Sequence, residues 1–166
     1  MKKFISLLAI STVLFGCSAP GPMYEPLQYT ENNAVLYIYR LPKFFRSAAY
    51  PWVYLDGVEQ APLKNGGYLA FEIPPGKHEL LVKGKSVNQW DFADQKISLT
   101  ASPNQEYFVK INIESSVGLI GGETAENEST ASLWQGSIWQ AVLGAGLEPV
   151  ENETGRQEIS TLNLSR

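Results

Sequence analysis

The chain has 166 residues, with 13 Lys and Arg against 17 Asp and Glu, one histidine and one cysteine. That length suits one domain. A formal net charge of −4 excludes the broad basic patch that phosphate backbones require, so nucleic acid is not an expected partner. A lone cysteine leaves no internal disulfide, so stability must rest on a packed core, for which 44% hydrophobic and 11% aromatic residues are ample.

Lys2 and Lys3 open the chain and the apolar run FISLLAISTVLF follows. The run is shorter than the roughly 20 apolar residues that span a bilayer. A basic start, a short apolar core and a small residue, Gly16, before Cys17 fit an export leader over residues 1–16. The tetrapeptide LFGC resembles the lipobox of bacterial lipoproteins, with Phe15 bulkier than the residue usual there. The resemblance implies cleavage between Gly16 and Cys17, a diacylglycerol on the Cys17 sulfur and an acyl chain on its new amino group. It implies no other cofactor. Ser18, where retention on the inner membrane usually needs Asp, implies the outer membrane and its periplasmic face. An ordinary cleaved leader with an incidental cysteine is the alternative. Loss of residues 1–16 removes two lysines and no acid, taking the net charge from −4 to −6. Two or more acyl chains make the expected anchor, because one alone binds membranes only marginally.

Residues 17–33 read as the lipidated cysteine and a flexible or extended tether. SAPGPMYEPLQYTENN carries three prolines and no periodicity. From residue 34 the pattern becomes that of strands, and residues 34–166 are expected as one domain, less regular from about 115. AVLYIYR (34–40) is apolar on both faces, so it should be covered on both. Asp56-Gly57 separates two extended runs in PWVYLDGVEQAPL and signals a hairpin, since Gly tolerates positive φ. Asn65-Gly66 gives a second signal of the same kind. Leu69, Phe71 and Ile73 then share one face of a strand. Pro74-Pro75-Gly76 forces a turn, and HELLVKG, KISLT and EYFVKINIE follow as strands. Beyond 115 the chain is Gly/Ser/Thr-rich. LWQGSIWQAVL suits strand or helix, and ENETGRQEISTL after Pro149 is expected as a short terminal helix. The expected fold is all-β: a small antiparallel β-sandwich of six to seven strands with that helix.

AVLYIYR, VYLDG, LKNGGY, IPPGKH and EYFVK occur in order over residues 34–114. Together they resemble the bacterial lipoprotein family of domain of unknown function 2846. The central motifs are also similar to PEGA-type modules, which implies a prealbumin-like sandwich. Neither resemblance implies an activity or a catalytic residue.

Chemistry needs paired acid and base, a nucleophile with its base, or a ligand cluster. The lone His78 offers a base or a ligand, but no second His or free Cys completes a zinc site. It is expected to brace the turn beside Pro74, Pro75 and Gly76. Asp56 is expected to act as a hairpin residue. Asp91 and Asp94 lack the oxygens and glycine of a calcium loop. No metal site is expected. The candidate binding surface is aromatic and basic: Phe44, Phe45 and Arg46 in one loop, Trp52 at the next strand, Trp90 and Phe92 in another loop. The competing reading is that these rings close the ends of the core. The functional expectation is a non-catalytic, lipid-anchored envelope module that binds an envelope protein or cell-wall polymer. The alternative is a periplasmic enzyme or modulator acting on glycans through paired carboxylates, and a bare spacer is a third.

Overall fold

Seven consecutive buried residues, AVLYIYR, form the middle of the architecture. The computed structural model describes residues 18–44, 46–85, 90, 92–113, 134–136 and 145–166. Its elements, in chain order, are β1 (Ala34–Arg40), β2 (Trp52–Leu55), β3 (Val58–Pro62), β4 (Gly67–Ile73), β5 (Gly76–Lys83), β6 (Gln95–Ala101), β7 (Glu106–Ile113), β8 (Trp134–Gly136), β9 (Ala145–Val150), α1 (Asn152–Ile159) and β10 (Asn163–Leu164). One five-stranded sheet has the order β10-β4-β1-β7-β9 and the other β3-β2-β5-β6-β8. The fold is mostly β, with one short helix near the C-terminus, as a small sandwich requires.

The period of two along each strand decides what meets between the sheets. Leu36 and Ile38 of β1, Leu69, Phe71 and Ile73 of β4, and Val109 and Ile111 of β7 face Val53, Leu80, Val82, Ile97 and Leu99 from the second sheet. The other face of β1 is also covered. Val35, Tyr37 and Tyr39, with Tyr68 and Phe108, form a second apolar cluster with Ile159 of α1 and with Leu162. Tyr37 stacks on Phe108 at 4.9 Å between ring centroids. Tyr24 meets Tyr37 and Tyr68 edge-on at 5.6 and 5.4 Å. Such pairs add about 0.5–1.5 kcal/mol each beyond the area they bury.

That covering includes part of the segment expected as a flexible or extended tether. Residues 18–24 are extended and docked. Gly21 N–H donates to Leu164 O at 2.9 Å, Leu164 N–H to Pro22 O at 2.7 Å, and Tyr24 N–H to Leu162 O at 2.8 Å. Leu27 N–H donates to the Tyr37 hydroxyl at 3.0 Å. The prolines suit the extended backbone, and the tyrosines and Leu27 between them supply the contact that a tether lacks.

Three further differences come from long-range pairing. The sandwich is not wholly antiparallel: β1 pairs in parallel with β7, and β10 with β4. The chain changes sheet between these strands, and it enters β7 from the end at which β1 begins. The Asp56-Gly57 hairpin forms as expected, with φ of 51° and 79°. Asn65-Gly66 is instead a corner, because β3 and β4 lie in different sheets, and only Gly66 there has positive φ, 65°. Pro74-Pro75-Gly76 likewise passes between sheets. Finally, there are ten strands among the described residues, not six or seven. β8 and β10 are three and two residues long, and β9 contains Gly146 and Pro149. Pro149 is tolerated because β9 is an edge strand. The leader 1–16, Cys17, Phe45, Asp91 and most of 117–143 lie outside the described residues.

Candidate functional site

The strand registers define two ends of the sandwich. One holds the end of β1 at Arg40, the starts of β4 and β2 at Gly67 and Trp52, and the ends of β3 and β5 at Pro62 and Lys83. The other holds Ala34, Ile73, Leu55, Val58 and Gly76. The first is called here the entry end, because the N-terminal segment begins there.

Asn65 builds that entry. It is 8% exposed and sits in the corner between β3 and β4. Ser18 pairs with it in a parallel bridge, and Ala19 N–H donates to its carbonyl at 3.1 Å. Its side-chain Oδ1 accepts the Lys43 N–H at 2.9 Å. One residue thus ties the segment at Ser18 and Ala19 to the loop after β1. Ala19 is buried against Gly67, where an added Cβ would lie 2.8 Å from the Ala19 Cβ. Lys43 Nζ donates to Ile113 O at 2.6 Å, which brings the end of β7 to the same place. Phe44 follows Lys43 and is 100% exposed.

The expected aromatic surface divides. Trp90 is 5% exposed and belongs to the core between the sheets, which corrects its placement on a binding face. Room for it comes from Gly84, where an added Cβ would lie 2.3 Å from Trp90 O. Phe92 is half-buried, edge-on to Trp90 at 4.7 Å. The Arg46 guanidinium lies 4.7 Å over the Phe92 ring. Trp52 is half-buried beneath Lys85 Nζ at 3.6 Å. Of the six residues, Phe44 alone is described as fully in water.

Beneath them lies Arg40, which the sequence reasoning missed. It is 1% exposed, and its guanidinium lies 5.9 Å from the Trp90 ring centroid. Nη2 donates to Arg46 O at 2.7 Å and Nη1 to Ala49 O, so Arg40 shapes the loop that carries Phe44. Burial pushes its pKa down to about 10. The available signal was an arginine closing an apolar strand just before Leu41-Pro42.

His78 and Asp56 meet at the opposite end. His78 Nδ1 lies 2.7 Å from Asp56 Oδ2, and Nε2 lies 2.8 Å from Pro74 O. Asp56 Oδ1 accepts the Glu79 N–H at 2.8 Å. A carboxylate and a carbonyl only accept, so the doubly protonated imidazolium satisfies both contacts. Both ring nitrogens are then occupied, which disfavours a base or a ligand. The cluster pins the 56–57 hairpin to β5 and to the 74–76 turn. Burial raises the Asp56 pKa, but the hydrogen bonds from His78 and Glu79 and the His78 charge outweigh it, and the carboxyl sits below its ordinary value. Among the described residues no group of three or more His, Cys, Asp or Glu could hold a metal ion.

Other carboxylates act as staples. Glu158 accepts from the Tyr39 hydroxyl at 2.6 Å and from Lys110 Nζ at 3.3 Å, fastening α1 to the sheet. Burial first, and then Glu158, raises the Tyr39 pKa. Arg156 pairs with Glu106, and Lys85 with Glu59. No described helix is long and apolar enough to cross a membrane.

A family model described as a protein of unknown function (DUF2846) matches residues 30–123. Its range includes β1 through β7, while the docked segment 18–29 and α1 lie outside it. No curated protein matches the chain.

Proposed function

We propose, from the premise that this chain belongs to the DUF2846 family, that it is a non-catalytic lipoprotein of the bacterial envelope. Residues 1–16 direct export, and Cys17 carries a diacylglycerol and an N-acyl chain. Ser18 directs the protein to the outer membrane, facing the periplasm. There the sandwich serves as a binding or structural module for an envelope protein or cell-wall polymer.

The observation that carries this reading is LFGC at the end of a short apolar run, with the chain's one cysteine at the cleavage point. The folded domain supports it in a second way. Ser18, to which residue 17 is bonded, is seated on the body of the protein. His78 and Asp56 are consumed by a turn, and the described carboxylates named above staple strands and helix. That arrangement suits a scaffold better than an acid–base site.

The test is Cys17→Ser with labelled palmitate in intact cells. Labelling should disappear and an uncleaved precursor accumulate. Undiminished labelling of the variant would refute the assignment.

A further inference from the structure

We infer that the entry end of the sandwich lies against the bilayer, with Phe44 inserted among the lipids beside the anchor and nearby basic residues facing anionic headgroups. The inference rests on the lipoprotein reading and deepens it, from which residue is anchored to which surface touches the membrane.

Three observations converge. The first is reach. Ser18 and Ala19 are held on Asn65, and Lys43 is held on the same residue. Each residue spans at most about 3.6 Å. Residue 17 is bonded to Ser18, and Phe44 to Lys43, so both stand within a few residues' reach of one residue, Asn65. Acyl chains on residue 17 must therefore enter the membrane next to Phe44. A free sixteen-residue tether would impose no such neighbourhood; the docked segment does.

The second is apolarity. Phe44 is the one fully exposed large apolar side chain among the described residues, at 100%. Lys43, held through Asn65, and Arg40, bonded to the Arg46 and Ala49 carbonyls, support the loop on both sides of it. A ring held out in water on a braced loop gains by moving into an apolar phase.

The third is charge. The chain is acidic overall, yet its described charges are polarised. Lys43, Arg46, Lys64 and Lys83 gather at the entry end, with Asp94 the exposed acid there. Glu31, Asp56, Glu72, Glu106 and Glu151 lie toward the opposite end, where acids outnumber the bases Lys77 and Arg156. Acids turned away and bases turned toward an anionic surface add attraction to the anchor.

The test uses the full chain, processed in cells, extracted in detergent and reconstituted into vesicles of phosphatidylethanolamine and phosphatidylglycerol. The vesicles also contain phosphatidylcholine spin-labelled on its acyl chain. With the Cys17 sulfur in a thioether, Phe44→Cys supplies the one free thiol, and an environment-sensitive nitrobenzoxadiazole label is attached there. Val58→Cys is the control, because Val58 is 61% exposed at the opposite end. The label at 44 should lose several-fold more fluorescence to the spin-labelled lipid than the label at 58. Equal quenching at both, or none at 44, overturns the inference, and a protein partner on this face would give the latter. The mass of the N-terminal peptide from the same preparation separates the two claims. A lipidated residue 17 with an unquenched label at 44 overturns the surface assignment alone, whereas an unmodified residue 17 overturns the lipoprotein reading as well.

Discussion

Gly21→Ala should loosen the docked N-terminal segment without unfolding the sandwich. A Cβ at this position would lie 2.5 Å from Leu164 O, 2.7 Å from Leu164 Cβ and 3.0 Å from Arg166 O. Two of these atoms are backbone and cannot swing aside, so the segment must retreat by close to an ångström to restore ordinary contact. Retreat stretches the Gly21–Leu164 and Leu164–Pro22 hydrogen bonds, now 2.9 and 2.7 Å. At about 0.5–1.5 kcal/mol for each bond, the closed segment loses about 1–3 kcal/mol. Its open population then rises roughly 5- to 150-fold. Native-state hydrogen exchange reads this directly. The amides of Ala19, Tyr24 and Leu164 should exchange faster by that factor, while those of β1 keep their rates. Equal rates at Ala19 and Tyr24 in both proteins would refute the docking. A uniform acceleration across β1 as well would mean that the substitution acts globally and that the segment is not a separate unit.

Two other outcomes follow from the same packing. Gly155→Ala gains about 1 kcal/mol of helix propensity. Its Cβ would, however, lie 2.4 Å from Phe108 Cγ, on a ring already stacked against Tyr37, and overpacking costs about 1–3 kcal/mol. The urea midpoint should therefore fall, with a loss of up to about 2 kcal/mol of stability, and a higher midpoint would mean that α1 does not sit on the sheet as described. Asp56→Asn tests the turn cluster through pH. The folded Asp56 carboxyl lies below its ordinary value of 3.8, so its stabilisation is full above that value and fades as pH falls through the lower folded one. Thermal melts should show the variant less stable than the parent above the ordinary value of 3.8, with the gap closing as pH falls below it. A gap independent of pH would deny that the ionised carboxylate makes the contribution.

Where a strand's own pattern carried the information, the sequence was legible. AVLYIYR is apolar on both faces and is buried on both. The face assignment of β4 also holds, because the period of two is local. Pairing is not local. Asn65-Gly66 has the same turn chemistry as Asp56-Gly57, yet one is a corner and the other a hairpin. The difference lies in which sheet receives the next strand, and that is settled by contacts far along the chain. Trp90 stands between polar neighbours and reads as a loop residue. Its burial depends on the space at Gly84 and on Arg40 beneath, neither of which its own neighbourhood reveals. The three prolines of residues 18–33 disguised a docked segment as a linker. The apolar residues that hold it, Tyr24, Leu27 and Tyr29, stand three and then two apart, so no single period runs through them. Of the candidate surface, Phe44 was legible because an aromatic beside Pro42 and Lys43 has no strand to pack into.

The whole account turns on chemistry at residue 17, and the most direct measurement is the mass of the mature chain's N-terminal peptide from isolated envelopes. The account predicts a peptide that begins at Cys17, with a diacylglyceryl thioether and an acylated amino group. A peptide beginning at an unmodified residue, or one that retains residues 1–16, would contradict it.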